Sequence, residues 1–319
     1  MKNNPQKGSL IEPILILTAL CIVIFVFIMP TRQLGPTKSI FSLSGDSYNQ
    51  NSEIKTNSNG KPNPTKNSTY SNSISLSRGN ASNSIQPYEE YISIENRGDT
   101  SVDITGWKLK NAKNERPYSV SGSLQYFPAD EVIIPRASIF ISPSGNIAQQ
   151  NIVLKKNEKA IITTGSNGVR TPYAIVNFKE NKCSGYLEDL PEYSFTPQLS
   201  MNCARPSNEP GAQSLEVSCQ KYLDSMRSCH TPKFETTDRQ GNVCSNCVDG
   251  NSTLGSSCVA FIKSHFSYSG CIANHQNDSD FSLNTWRVFL GRTWELWAKD
   301  HETISLFDSS GNLVDYESY

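Results

Sequence analysis

Nine cysteines stand in a chain of 319 residues, and eight of them fall in one stretch: Cys183, Cys203, Cys219, Cys229, Cys244, Cys247, Cys258 and Cys271. Cysteine sulfur offers three chemistries here: disulfide stapling, zinc ligation and thiol exchange. Cys244-Ser245-Asn246-Cys247 has the Cys-x-x-Cys spacing that exchange uses. Exchange also needs a thiolate stabilised at a helix amino terminus, and no strand-helix unit of thioredoxin type surrounds this motif. Zinc needs four ligands. Only one Cys-x-x-Cys exists, and the adjacent Cys229 and His230 are poorly placed to share a site. An even number of cysteines confined to one exported segment reads first as a disulfide framework. Eight allow on the order of a hundred pairings. The simplest expectation joins neighbours: Cys183 with Cys203, Cys219 with Cys229, and Cys258 with Cys271. Each such loop would contribute about 3 kcal/mol in the chain-entropy view. The segment promises no large apolar core of its own, so the disulfides would carry it.

A second group is oxygen-rich: Asn274-His275-Gln276-Asn277-Asp278-Ser279-Asp280. His275, Asp278 and Asp280 are candidate ligands for a cation such as Ca²⁺, which takes six to eight oxygens. Their spacing is not that of an EF-hand, and Asp and Asn also serve turns and caps. No catalytic motif is recognisable. There is no Gly-x-Ser-x-Gly, P-loop, Gly-x-Gly-x-x-Gly or His-Glu-x-x-His, and His301-Glu302 has Ser305 where the second histidine belongs. No cofactor motif appears, so a non-enzymatic protein without a cofactor is expected.

The formal net charge is −1. A neutral chain has no overall field for a phosphate backbone, so nucleic acid is not an expected partner. From Ile11 to Met29 the sequence is apolar apart from Glu12, Pro13 and Thr18. Nineteen residues at about 1.5 Å each span roughly 28 Å, close to a hydrocarbon core of about 30 Å. The run ends without an Ala-x-Ala-like site, so it reads as an uncleaved anchor rather than a signal peptide. Residues 1–10 form the expected cytoplasmic tail and 11–30 the transmembrane helix. Everything beyond lies outside the cell, in a single-pass protein whose first partner is the lipid bilayer. Lys7-Gly8-Ser9-Leu10-Ile11-Glu12 resembles the start of type IV prepilins, which are cut after Gly and pair an apolar-stem Glu with a neighbouring amino terminus. Here Glu12 is fourth rather than fifth after Gly8, and the usual bulky residue after Gly is absent.

Residues 31–86 are the expected disordered linker. Of the 45 residues from Ser42 to Gln86, 12 are Ser and 9 are Asn, with no Trp, Phe or Cys. Such composition buries too little apolar surface to offset chain ordering. As a flexible coil it would reach roughly 37 Å.

From residue 87 to 319 the pattern is mainly β. Tyr91–Glu95 alternates apolar and polar with the period of a half-buried strand. Strands are also expected at Val102–Ile104, Trp107–Leu109, Val132–Ile134, Ser138–Ile141 and Ala160–Thr164. The runs Glu302–Phe307 and Leu313–Tyr316 flank a Gly-containing loop and read as a hairpin.

Tyr88–Asn96 followed by Val102-Asp103-Ile104-Thr105-Gly106-Trp107-Lys108-Leu109 resembles the opening of a lamin tail domain. Ile134-Pro135-Arg136-Ala137-Ser138-Ile139-Phe140 is similar to that family's middle strand pair, with Arg136 in place of its usual Gly. Thr303–Phe307 with Gly311–Asp315 resembles its last hairpin. The resemblance covers about residues 88–179 and 285–319 and implies an immunoglobulin-like β-sandwich, with Trp107 plugging the core. A partly helical, Cys-rich insert at about 181–280 interrupts it, with helices expected at Ser214–Arg227 and Ser257–Phe266. Asn181–Tyr186 and Trp286–Arg292 resemble lamin-tail proteins of small-genome uncultured bacteria, where similar cysteine-bearing inserts occur.

Three functions follow. The first is a surface-displayed, non-enzymatic binding, adhesion or scaffold protein of the cell membrane, meeting an unidentified protein or glycan. The second is a pilin-like subunit processed after Gly8. The third is an exported thiol oxidoreductase or hydrolase.

Overall fold

The computed structural model describes residues 55–56, 62–63, 66–145, 148–166 and 172–319. The expected anchor (11–30), the Gly8–Glu12 segment and most of the expected linker lie outside the described residues. No helix among the described residues is long and apolar enough to cross a membrane.

The described chain is mainly β. It runs β1 (Lys55–Thr56), β2 (Pro62–Asn63), β3 (Ile74–Ser77), β4 (Tyr91–Asn96), β5 (Val102–Asp103), β6 (Lys108–Lys110), β7 (Tyr118–Val120), β8 (Ser123–Gln125), β9 (Glu131–Ile133), β10 (Val153–Leu154), β11 (Lys159–Thr163) and β12 (Phe178–Asn181). Then come α1 (Gly185–Glu188), α2 (Val217–Ser225), the hairpin β13 (Phe234–Thr237) and β14 (Val243–Val248), α3 (Ser256–His265) and α4 (Tyr268–His275). β15 (Ser282–Phe289), β16 (Thr303–Phe307) and β17 (Leu313–Ser318) close the chain.

Two sheets hold most of the strands. The first has the order β12-β15-β11-β4-β3, the second β17-β16-β6-β9. Alternation explains the first: in β4, Ile92 and Ile94 turn inward and are fully buried while Tyr91, Ser93 and Glu95 stay half-exposed. β11 lies at the centre, antiparallel to β4 and parallel to β15. Covered on both faces, it reads as the continuous run Ala160-Ile161-Ile162 rather than an alternation. One apolar core takes Ile92, Ile94, Ile162 and Val288 from the first sheet and Leu109, Ile304, Leu306 and Val314 from the second. It therefore lies between them. Trp107, 2% exposed, sits in this core against the Tyr70 ring at 5.3 Å. Gly106 before it holds φ +79°, which turns the chain into β6.

The expected linker ends earlier than residue 86. β3 pairs with β4 in register, Leu76 opposite Ile94. Ile74, Leu76 and Ala81 are buried, and the Leu76 amide donates to Asp315 Oδ2 at 2.7 Å. Residues 66–86 are thus part of the fold, because the two alternating apolar residues Ile74 and Leu76 suffice to add an edge strand despite Ser-rich surroundings. Another expected strand, Ser138–Ile141, makes only isolated bridges at Ala137–Gln150 and Ser138–Phe178.

The chain leaves the first sheet at Asn181, the end of β12, and returns at Ser282, the start of β15; these two residues pair across the sheet. The insert is not poor in apolar contacts. A second core covers the outer side of the first sheet and combines Phe178 and Ile141 with Leu187, Leu223, Ile262, Phe266 and Ile272. β15 serves both cores by alternation: Trp286 and Val288 face the first, while Phe289 packs on the second. The two expected helices appear as α2 and α3; α4 was not foreseen.

Candidate ligand-binding cleft

The four disulfides join Cys183 to Cys271, Cys203 to Cys229, Cys219 to Cys258 and Cys244 to Cys247, with Cα–Cα distances of 5.6, 5.2, 5.6 and 5.8 Å. The neighbour pairing Cys183–Cys203, Cys219–Cys229 and Cys258–Cys271 is thereby corrected. Proximity in sequence does not decide pairing here, because the helices fold across one another. Cys219–Cys258 ties α2 to α3, and Cys183–Cys271 ties the start of the insert to α4.

The oxygen-rich loop is filled by a lysine. Lys182 Nζ lies 3.0 Å from Asp278 Oδ2 and 2.6 Å from Asp280 Oδ1. His275 Nδ1 meets Asp278 Oδ2 at 2.9 Å, and its Nε2 meets Glu209 Oε2 at 3.0 Å. Hydrogen bonds from His275 and Lys182 hold the Asp278 carboxyl below the usual range, and Lys182 does the same for Asp280. His275, Asp278 and Asp280 are therefore brought together, but around an ammonium group. No group of three or more His, Cys, Asp or Glu able to hold a metal ion occurs among the described residues. Glu302 accepts from the Ala112, Ala298 and Thr303 amides at 2.7–2.9 Å and pairs with Arg116, which makes it a structural carboxylate.

A cleft of about 680 Å³ lies in the insert. α2 supplies Tyr222 and Ser225, and the chain leaving it supplies Met226, Arg227 and His230. The β13–β14 hairpin and the turn after it supply Glu235, Thr237, Asp238, Arg239 and Asp249. A neighbouring hollow of about 500 Å³ shares Arg227, His230 and Lys233 and adds Asp189.

His230 is the centre of this site. Its Nε2 lies 2.9 Å from Asp249 Oδ2, and its Nδ1 lies 3.3 Å from Asp189 Oδ2. The Tyr222 hydroxyl donates to Asp249 Oδ2 at 2.7 Å, and the Lys233 amide donates to Oδ1 at 2.9 Å. Asp189 also receives the Thr231 amide and pairs with Arg227. Burial opposes the charge on Asp249, yet the Lys233 amide, Tyr222 and His230 outweigh it and hold the carboxyl below its ordinary value. Burial and the same carboxylate push the Tyr222 phenol well above its ordinary range.

The local chain explains the placement. Cys229 and Asp249 flank His230 in space and both adopt positive φ, 60° and 51°. Cys229 is held there by its bond to Cys203. Asp249 is held by Lys233, its amide donating to Lys233 O at 2.8 Å while its carboxylate accepts the Lys233 amide. Non-glycine residues hold this backbone region where surrounding structure over-determines them, often at functional sites.

What the arrangement can do follows from its bonds. Both nitrogens of His230 face carboxylates, Nε2 that of Asp249 and Nδ1 that of Asp189. The Ser225 hydroxyl donates to the Tyr222 carbonyl, away from the ring. Asp249 and Asp238 are occupied by groups of the protein itself, Asp238 by the Gln240 and Asn242 amides. Arg227, Lys233 and Arg239 are all exposed along the walls. They stand beside the carboxylates of Glu235, Asp238 and Asp249, Arg227 paired with Asp189 and Arg239 donating to the Asp249 carbonyl. Sequence reading singled out none of these residues except His230, noted beside Cys229; the turn pair Asp249-Gly250 was the available signal.

No family model matches the chain, and neither a curated protein nor a solved structure matches it.

Proposed function

We propose that this chain is a membrane-anchored display protein: a lamin-tail-like, immunoglobulin-like sandwich that carries a disulfide-stapled binding head on a surface-exposed domain. The mainly β fold with two sheets around Trp107 supports the sandwich reading, and the apolar run 11–30 supports the anchor. The observation that carries the binding reading is His230 held between Asp189 and Asp249 in the lining of a polar cleft. Such a frame fixes the cleft wall that carries the exposed Arg227, Lys233 and Arg239. The ligand is an acid-bearing glycan or an acidic protein segment.

Two results are expected. In intact cells, added protease removes the chain beyond about residue 40 and leaves the anchor behind; protection of the domain until lysis defeats the surface assignment. The full chain in detergent is retained on an immobilised sulfated polysaccharide. In a chain of net charge −1, retention must come from a local cluster. Lys233→Ala and Arg239→Ala should each elute at clearly lower salt, and unchanged elution of both would remove the cleft from the proposal.

A further inference from the structure

Three of the disulfides belong to the apolar core of the insert: the cysteines at 183, 203, 219, 229, 258 and 271 are all part of it, whereas Cys244 and Cys247 are not. Cys247 is 1% exposed but Cys244 is only half-buried, the one disulfide cysteine that is. The core bonds close sequence separations of 88, 26 and 39 residues; Cys244–Cys247 closes 3. A ring that small removes little freedom from the unfolded chain, so this bond adds least to stability. Its position is nevertheless sensitive. Cys247 pairs in register with Glu235, a wall residue of the cleft, and stands two residues before Asp249. Cys244 Sγ lies 3.9 Å from the Glu235 carbonyl, an acceptor for the thiol of the reduced form.

We propose that Cys244–Cys247 is a thiol-exchange site, reduced by an external dithiol, and that its reduction loosens the cleft wall that seats Asp249 against His230. A thiolate of the dithiol attacks Sγ of Cys244, the less buried cysteine of the pair; the S–S bond breaks, and Cys247 leaves as a thiolate that takes a proton from solvent. The second thiol of the dithiol, having lost its proton, attacks the mixed disulfide. It forms the dithiol's own disulfide and releases Cys244 as a thiolate that is protonated in turn. Two electrons pass from the dithiol to the protein pair. The six core cysteines are all buried, at most 8% exposed. The proposal stands whether or not the cleft binds an acidic ligand.

The test treats the full chain in detergent with dithiothreitol under native conditions, quenches with acid and alkylates after denaturation. Mass spectrometry should find Cys244 and Cys247 reduced at least tenfold faster than any other cysteine. Equal rates for the six, or no reduction before unfolding, would overturn the exchange site. Hydrogen exchange on the selectively reduced protein should show the Lys233 and Asp249 amides losing protection at least tenfold, while Ile161 in β11 stays as it was. Unchanged protection at Lys233 would overturn the coupling to the cleft. The double variant Cys244→Ser/Cys247→Ser should melt cooperatively with three disulfides intact; failure to fold would show that the bond is a staple after all.

Discussion

A chain ended at residue 300 is expected to lose cooperative folding. The cut removes β16 and β17, and β16 is an interior strand of the second sheet, paired on one side with β17 and on the other with β6. Ile304, Leu306, Phe307, Leu313 and Val314 are all buried. Burial of such side chains stabilises by about 1.5–3 kcal/mol each, so together they match the roughly 5–15 kcal/mol by which a domain is stable. The loss is compounded at Glu302, whose removal frees the Ala112 and Ala298 amides, and along β6, which becomes an open edge. Thermal melting followed by circular dichroism tests this. A truncated chain with the melting temperature of the full protein would show that the second sheet is not the partner of the first.

The second large effect is expected at Arg287. This guanidinium is 3% exposed and donates from Nε to Glu180 Oε1 at 2.5 Å, from Nη1 to Pro197 O at 2.7 Å and from Nη2 to Gln198 O at 2.7 Å. Glu180 in turn accepts the Ser200 amide at 3.1 Å, and Glu188 accepts the Leu199 amide at 2.9 Å. One fork on β15 thus locks β12 and the 197–200 loop of the insert together. Arg287→Ala leaves a buried carboxylate unpaired and two carbonyls without donors, a cost of about 3–5 kcal/mol. For a chain of this size that lowers the melting temperature by roughly 10 °C. Arg287→Lys should recover only part, because a point charge cannot reach three acceptors in the fork geometry. The double variant Arg287→Met/Glu180→Leu should recover most of the loss, since an apolar pair leaves no charge stranded. A shift below about 2 °C for Arg287→Ala would mean that the loop is held by other contacts.

Local periodicity made part of this architecture readable. β4 shows its alternation in five consecutive residues, and the β16–β17 hairpin announces itself through Asp308 and Gly311, whose carboxylate and positive φ close the turn. β3 was hidden because Ile74 and Leu76 sit in a Ser- and Asn-rich stretch, where composition argued for disorder and two alternating residues carried the strand. The disulfide pairing was hidden for a different reason: which sulfurs meet depends on how α2, α3 and α4 cross, and no local pattern encodes that. Arg287 and Glu180 are separated by 107 residues, so their pairing exists only after the insert has folded back on itself. The cleft followed the same logic. His230 was visible as one of four scattered histidines, but Asp189 and Asp249 join it from distant positions before and after it in the sequence.

The pairing of Asn181 with Ser282 carries a further consequence. Residues facing one another across an antiparallel ladder stand about 4.5–5.5 Å apart, so the chain leaves the sheet and re-enters it at nearly the same point. The insert is therefore a cassette hung from a single pair of strand ends. Lengthening or shortening such an excursion alters closure entropy only slowly. The platform of two sheets can carry heads of different size at this point, provided each supplies two things. One is an apolar underside for Phe178 and Phe289. The other is a pair of carbonyls for Arg287 to grip.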